Sequence, residues 1–592
     1  MSSVGRAKLV QYQSFGYLKQ HNVDTFAVSL RCKIKDECVL FDHDDIHELG
    51  TTVDNVIGVT FFNERIDLLT VEEDFGNANY LGLAAVAVAV YCDPDEAFLK
   101  LLRRFVYLQS YTPYIIILLP SCIHDVAGCS TSSIWDSWRL IRKELFNACY
   151  DKLGVGLLCS GRFDSDFIDE SLLERWKGEP LKLVANTVLE DGSKFEHLLN
   201  VLRLYISPEC EYVVPYINQN GNELVDITKL QQLAQLFVQN SRKIPVINNA
   251  YFEDFPQRPL KPTEDDLSAS VYSTFETITS KYRLYESAVI EAIMDWQQHD
   301  KNRNKKFVVL LVGAGRGGLI ESILKALQKT KQQRVTVLAV EKNKFAYQTL
   351  QKKNINRWNN LVKLINTDLR DHTQIKAALN ARSPNMVVSE LLGSFACNEV
   401  GPDLITTLYP LVNEDTVFIP QGYCNYVAPC FSFRINGIIN GGRPDYYLRL
   451  SNCCGKNGIH GIESQEYCNL DQLYVSSLNS CYIADIPKQI HCYRHTKGVN
   501  IDLDWKKKVE YDIEVDCEIN AIAGFFTAEI GSETLTTLPK DKRDFTDTKK
   551  SWFPAYFPLR SPIYCPAGTK LEVEITRKTN EKGMWYEWST IT

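Results

Sequence analysis

Hydrophobic positions change their period twice along this chain, and the changes divide it. Up to about residue 245, short apolar runs alternate with stretches of helical spacing. Val23–Leu30, Val56–Phe62, Ala84–Tyr91, Tyr114–Leu119, Gly154–Cys159, Leu181–Val188 and Tyr212–Ile217 read as strands. Glu96–Gln109, Ser133–Tyr150 and Asp226–Gln239 read as helices among them. So many βα units in succession predict a (βα) barrel rather than an open sheet. Its strand ends carry no coherent catalytic set, so a scaffold or docking role is expected.

Pro256, Pro259 and Pro262 then interrupt regular structure, and 246–266 reads as a linker. A helix is expected from about Ser280 to Gln298, where Tyr282, Tyr285, Val289, Ala292, Ile293 and Trp296 keep near-helical spacing. A second α/β region runs from Lys306 to about Pro420, giving a domain expected at 267–420. In the last part, 421–592, Val509–Val515, Ala521–Ile530 and Lys570–Ile575 are strand patterns between Gly and Pro turns, which predicts an antiparallel β domain. Asn440–His460, rich in Gly and Asn, reads as an exposed loop.

At 592 residues the chain is too long for one core. A formal charge of −8 argues against direct nucleic-acid binding and only weakly favours basic peptide partners. The N-terminal Met1–Arg6 has no apolar run behind it, and no signal peptide is read there. The longest apolar runs, Leu83–Tyr91 and Tyr114–Leu119, are too short for a membrane helix, so no membrane association is expected. Eighteen cysteines are scattered without a Cys-x-x-Cys pair. The expectation is reduced thiols in a soluble cytoplasmic and nuclear protein, with no metal site.

The chemistry is concentrated in the second α/β region. Phe307–Val312 is a buried-strand run that feeds Gly313-Ala314-Gly315-Arg316-Gly317-Gly318, and Leu319–Leu327 reads as the helix behind it. Glycines there let the backbone turn tightly and approach a nucleotide closely. The next strand, Val335–Val340, ends at Glu341, placed to accept hydrogen bonds from a ribose diol. Nicotinamide dehydrogenases and S-adenosylmethionine methyltransferases share this pattern. Arg316 would suit a phosphate in one case and a methionine carboxylate in the other. Val362–Asn366 is followed by Asp368, a candidate acceptor for an adenine amine or, more plainly, a helix cap. Met386–Ser389 then delivers Glu390, and a glycine-containing loop separates it from Glu399. Two carboxylates folded around one cation grip a guanidinium better than any other side chain.

Val388-Ser389-Glu390-Leu391-Leu392-Gly393-Ser394-Phe395, with Glu399 behind it, resembles the double-glutamate loop of the protein arginine methyltransferase family. Tyr272-Ser273-Thr274-Phe275-Glu276 with Lys281-Tyr282, Ser551-Trp552-Phe553-Pro554 and Trp585-Tyr586-Glu587-Trp588 narrow the resemblance to members that make symmetric dimethylarginine. Asn79–Leu83 and Arg175–Pro180 extend it loosely into the N-terminal region.

The resemblance implies a TIM-like barrel, a Rossmann-like methyltransferase domain and a C-terminal antiparallel β-barrel with a dimerisation insert. It implies S-adenosyl-L-methionine as cofactor, held by Tyr272, Lys281, Tyr282, Gly313, Gly315, Arg316, Glu341, Lys342, Asp368 and Leu369. It makes Glu390 and Glu399 the catalytic clamp. Phe275, Trp585, Leu391 and Ser394 become the residues of substrate binding and product specificity, with Trp585 stacked on the guanidinium. Implied substrates are Arg-Gly-rich proteins, histone tails and splicing-factor tails. Implied partners are a second copy of the chain, as a homodimer or higher oligomer, and a WD-repeat protein on the N-terminal barrel. Two departures stand out: Cys397 replaces an acidic residue in the loop, and the N-terminal region is short. An NAD-dependent oxidoreductase and an inactive scaffold of the same fold are the alternatives.

Overall fold

A computed structural model of the chain describes the strands and parts of the helices between residues 26 and 217, and residues 254–299, 305–440, 470–539, 552–580 and 583–592. In the first part, β1 (Phe26–Ser29), β2 (Val56–Phe62), β3 (Ala85–Val90), β4 (Tyr114–Pro120), β5 (Leu153–Cys159), β6 (Leu181–Asn186) and β7 (Tyr212–Ile217) pair in parallel in chain order. β7 returns to pair with β1 and closes the ring. Helices α1 (Leu68–Leu81), α2 (Glu96–Tyr107) and α3 (Thr131–Glu144) lie between strands. The ring Phe62 of β2 stacks on Phe98 of α2 at 4.0 Å. The expected helix Asp226–Gln239 lies outside the described residues, as does 441–460 of the expected loop.

Five parallel strands form the next sheet: β8 (Phe307–Val312), β9 (Val335–Glu341), β10 (Val362–Asn366), β11 (Met386–Ser389) and β12 (Val417–Ile419). Their order is β10-β9-β8-β11-β12. Every residue of β8 is buried, because helices cover both faces of a parallel sheet, and its sequence is accordingly an unbroken apolar run. Helices α4 (Ala269–Glu276) and α5 (Thr279–Gln298) precede the sheet. α6 (Gly318–Lys329), α7 (Lys344–Asn356), α8 (His372–Leu379) and α9 (Gly401–Thr407) connect or follow its strands. The order reverses between β8 and β11. A reversal of this kind opens a crevice beyond the carboxyl ends of the two strands.

The last part is antiparallel. β13 (Gly422–Phe431) lies between β14 (Lys488–Arg494) and β16 (Cys517–Ile530), and β17 (Ala555–Cys565) pairs with β16. β15 (Trp505–Asp512), β18 (Lys570–Asn580) and β19 (Gly583–Ile591) make a separate three-stranded sheet. Among the described residues these strands pair as two sheets, where the resemblance implies one barrel. The expectation of reduced thiols is also corrected at one pair. Cys424 and Cys492 stand opposite each other in the β13–β14 register and are joined as a disulfide.

Long-range contacts tie the parts together. Arg142 of α3 is fully buried and donates to Glu179 (3.1 Å) and to Glu518 of β16 (2.8 Å). Its guanidinium lies 4.5 Å from the centre of the Phe431 ring. Leaving one member of such a set unpaired costs about 3–5 kcal/mol. The buried Asp254 accepts from the backbone N–H groups of Asn479 and Ser480, which fastens the segment before α4 to the β domain. Among the described residues no helix is long and apolar enough to cross a membrane, and no cluster of three or more His, Cys, Asp or Glu has the spacing to hold a metal.

Candidate active site

The crevice beyond β8 and β11 is a cavity of about 390 Å³ lined on one side by the glycine loop and on the other by Glu390 and Glu399. Gly313, Gly315 and Gly317 all have positive φ, +70°, +54° and +98°, a region that side chains other than glycine's rarely adopt. At Gly317 a Cβ would stand 2.5 Å from the Trp358 ring, so the turn is closed to anything larger. The loop leads into α6, whose first residue, Gly318, lies against the Tyr282 ring.

Glu341 ends β9 and is buried under this loop. One carboxylate oxygen accepts from the Gly315 N–H at 2.6 Å and the other from the Asn343 N–H at 2.7 Å. Burial raises its pKa, and the two N–H groups pull it back. Tyr272 of α4 covers Gly315, and burial pushes its hydroxyl up to about 12, with Glu341 adding to the shift. Lys342 lines the cavity and donates to the Thr263 carbonyl. Leu369 and Thr367, just past β10, complete this end.

Arg316 and Asp368 are turned elsewhere. Arg316 donates to Ser273 Oγ (2.9 Å), to the Ala269 carbonyl (3.0 Å) and to Glu276 Oε2 (2.8 Å), so α4 holds its guanidinium while the residue still borders the cavity. Asp368 forms a two-point pair with Arg370 at 2.7 and 2.8 Å, which holds its carboxyl down to about 2. It is not among the residues that line the cavity.

At the other end, the loop from Glu390 to Glu399 folds back on itself, with Gly393 and Ala396 exchanging both backbone hydrogen bonds. The Asn398 side chain accepts from the Phe395 N–H at 2.7 Å and occupies the space a Cβ on Gly393 would take. Anchors also come from the β domain. Asn425 of β13 donates to the Phe395 carbonyl (2.7 Å), and the Trp552 indole N–H donates to the Leu392 carbonyl (2.7 Å). Cys397 is fully buried with its sulfur 2.9 Å from the Tyr586 hydroxyl. Burial, and then the charge of Glu390, push Glu399 up to about 8. Glu390 is bound to Lys281 at 3.0 Å. Phe275, Leu391, Ser394 and Tyr282 line the same space.

Trp585 does not reach it. Along β19 side chains alternate, and Tyr586 faces inward, 7% exposed, while Trp585 faces outward, 40% exposed, and donates to Glu587. The aromatic residues that the β domain brings to the cavity are Trp552 and Phe553 instead. Both stand in the Ser551–Pro554 stretch that carried the resemblance, so the signal for them was present without a role attached.

Residues 245–419 match the family described as PRMT5 arginine-N-methyltransferase, and residues 422–592 match the one described as PRMT5 oligomerisation domain. The chain belongs to the PRMT5 family of protein arginine N-methyltransferases. Protein arginine N-methyltransferase 5 of Caenorhabditis elegans is 25% identical over 86% of this chain and 75% of its own length. The Xenopus laevis protein of that name is 27% identical over 72% of this chain and 64% of its own length. That of Drosophila melanogaster is 26% identical over 79% and 71%. A Trypanosoma brucei PRMT1 enzyme-prozyme complex with AdoHcy resembles the chain at a TM-score of 0.38 and 15% identity, covering 53% of this chain and 96% of that one. In this PRMT5-family chain, sequence reasoning missed Asn398, Asn425 and Glu276 as well as Trp552. The first three are polar residues of ordinary type, and all four matter for what the fold sets beside them.

Proposed function

We propose that the chain is an S-adenosyl-L-methionine-dependent protein arginine N-methyltransferase that forms monomethyl and symmetric dimethyl arginine in Arg-Gly-rich proteins, histone and splicing-factor tails among them. The observation that carries this reading is the opening of Glu390 and Glu399 onto the same cavity as the glycine loop and Glu341. The cavity fits that cofactor. Its glycine loop has no side chain at Gly313 or Gly315, and Glu341 retains lone pairs for a ribose beyond its two backbone donors. Tyr272, Tyr282, Gly313, Gly315, Glu341, Lys342 and Leu369 would hold it, with Lys281 and Arg316 as the cations near its amino-acid end. When bound, it supplies a methyl group already activated on a sulfonium.

The protein's own task is to make a poor nucleophile reactive. A guanidinium has a pKa above about 12 and delocalised lone pairs. Glu390 takes two of its N–H groups and draws the positive charge toward them. Glu399 holds the reacting nitrogen and receives its proton, a role suited to a carboxyl raised to about 8. Phe275 and Trp552 flank the planar group and limit where it sits, which supports a symmetric product. Fixing both reactants in one orientation can supply several kcal/mol of the barrier.

For the remainder of the chain we read 1–245 as a TIM-like docking barrel, 246–266 as a linker, 267–420 as the catalytic domain and 421–592 as the oligomerisation domain. A homodimer, and a WD-repeat partner on the ring of strands, fit that division. The test is purified protein with labelled S-adenosylmethionine and an Arg-Gly-rich peptide, followed by hydrolysis and separation of the methylarginines. Symmetric dimethylarginine is expected. Asymmetric product would remove the specificity assigned to Phe275, and no transfer in the presence of bound cofactor would leave an inactive scaffold.

A further inference from the structure

Among the described residues, two pairs of cysteines oppose each other across rungs of the larger β-domain sheet, and one pair is joined. Cys424 and Cys492 form a disulfide in the β13–β14 register. Cys517 and Cys565 face each other in the β16–β17 register as free thiols. Residues directly opposite in an antiparallel pair share a face, with Cα atoms about 4.5–5.5 Å apart. That lies inside the roughly 4.4–6.8 Å a disulfide spans. The two thiols already share a hydrogen bond.

The place of this rung gives it consequence. Cys517 stands between the two residues that hold the barrel's buried arginines. The Asp516 carbonyl accepts from Arg175 at 2.7 Å, and the Glu518 carboxylate accepts from Arg142 at 2.8 Å. The ladder runs on through only two more rungs, Glu518–Tyr564 and Ile519–Ile563, before its register shifts. So short a stretch at a sheet end opens locally more readily than the middle of the sheet. Cys565 is the last residue of β17, and Pro566, Ala567 and Gly568 after it are exposed. Both cysteines are buried in the closed sheet, so local opening is their route to solvent. The shared hydrogen bond pushes Cys517 up, with burial adding to it, and holds Cys565 down, so Cys565 ionises first.

We propose that Cys517 and Cys565 are a closable dithiol, which a small-molecule disulfide such as oxidised glutathione converts to a cross-strand bond that staples the rung anchoring the barrel. Cys565, as thiolate, attacks one sulfur of the reagent and releases the other as a thiol, leaving a mixed disulfide. Cys517 then gives its proton to solvent, attacks Cys565 Sγ and releases the second thiol. Two protein thiols are oxidised and the reagent's disulfide is reduced to two thiols. The charge of Arg175, whose Nε and Nη2 have no partner, favours the Cys517 thiolate in the second step.

The experiment holds the purified full chain in glutathione buffers of rising oxidised share, quenches with acid, alkylates free thiols and maps the peptides by mass. The Cys424–Cys492 peptides control for recovery of linked strands. The expected product is a linked Cys517–Cys565 peptide pair free of glutathione, reversed by dithiothreitol. With it, amide exchange in 515–519 and 563–568 should slow by about tenfold or more. Cys517→Ser should stop at the mixed disulfide on Cys565, whereas Cys565→Ser should gain no protection from exchange. Free Cys517 and Cys565 at every buffer composition would overturn the dithiol, as would bonding of either to Cys430 or Cys481. Closure without slower exchange would overturn the staple. The wild-type map decides the matter even if neither variant folds.

Discussion

The two ends of the cavity are built in different ways. The nucleotide end comes from neighbouring βα units: Glu341 reaches Gly315 and Asn343 across adjacent strands β8 and β9, and the glycines hold the turn by their own backbone freedom. The clamp end is assembled from a distance. Its loop is fastened by Asn425, Trp552 and Tyr586, all from the β domain, the last of them 189 residues from Cys397 in sequence. A local site can be read and can form early. A remote one depends on a domain whose described residues contribute no hydrogen bond to the nucleotide's glycine loop.

The largest effect is expected where the two ends separate most cleanly. Glu399→Gln should lower kcat by roughly 10²–10³ with S-adenosylhomocysteine affinity unchanged, measured by methyl transfer and calorimetry. Loss of cofactor affinity in the same proportion would mean the ends are not separate. In the parent protein kcat/KM should climb about tenfold per pH unit below about 8 and level off above it, and this rise should vanish in Glu399→Gln. The sign for stability is opposite. A carboxyl raised from 4.5 to about 8 binds more protons folded than unfolded, so its contribution falls as pH rises across that window.

Next, Gly317→Ala should strike the nucleotide end alone. Positive φ and the Trp358 ring make it destabilising by about 1–3 kcal/mol, seen as a lower unfolding temperature and weakened S-adenosylhomocysteine binding. Asn425→Ala is the matching break from the other side. It removes the side-chain donor to the buried Phe395 carbonyl and leaves it the Cys397 N–H, at about 0.5–1.5 kcal/mol. Methyl transfer should fall while S-adenosylhomocysteine affinity holds, and the reverse pattern would place Asn425 at the wrong end. The smallest effect is expected for Trp585→Ala, within about 0.5 kcal/mol and with near-normal turnover, since the side chain lies on the outer face of β19.

What was legible follows the same division. Val56–Phe62 and Tyr212–Ile217 were read with the observed bounds, and the helix expected from about Ser280 begins at Thr279, because apolar period records local structure faithfully. Glu390 and Glu399 were found through a contiguous stretch. The exchange of Trp585 for Trp552 at the clamp was not legible. Which face of β19 turns inward is set by its pairing with β18, and both tryptophans sit in equally aromatic surroundings in sequence. Cys424 and Cys492 were missed for the same reason, since only the strand register sets them opposite each other. The turning of Arg316 toward Glu276 and of Asp368 toward Arg370 reflects competition among nearby charges that spacing does not rank.

Arg142 has a consequence in time as well as space. Its first acceptor, Glu179, leaves the ribosome soon after it, whereas Glu518 is made 339 residues later (518 − 179). At about 5–20 residues per second, that delay is on the order of half a minute. Through it the nascent N-terminal part carries a guanidinium whose final neighbours, Phe431 included, are missing, together with the bare face of α3 that Trp138 later presses against Phe433. Synthesis of this chain therefore includes a waiting period in which a sticky, half-finished surface must be kept from other proteins until its own C-terminal strands arrive.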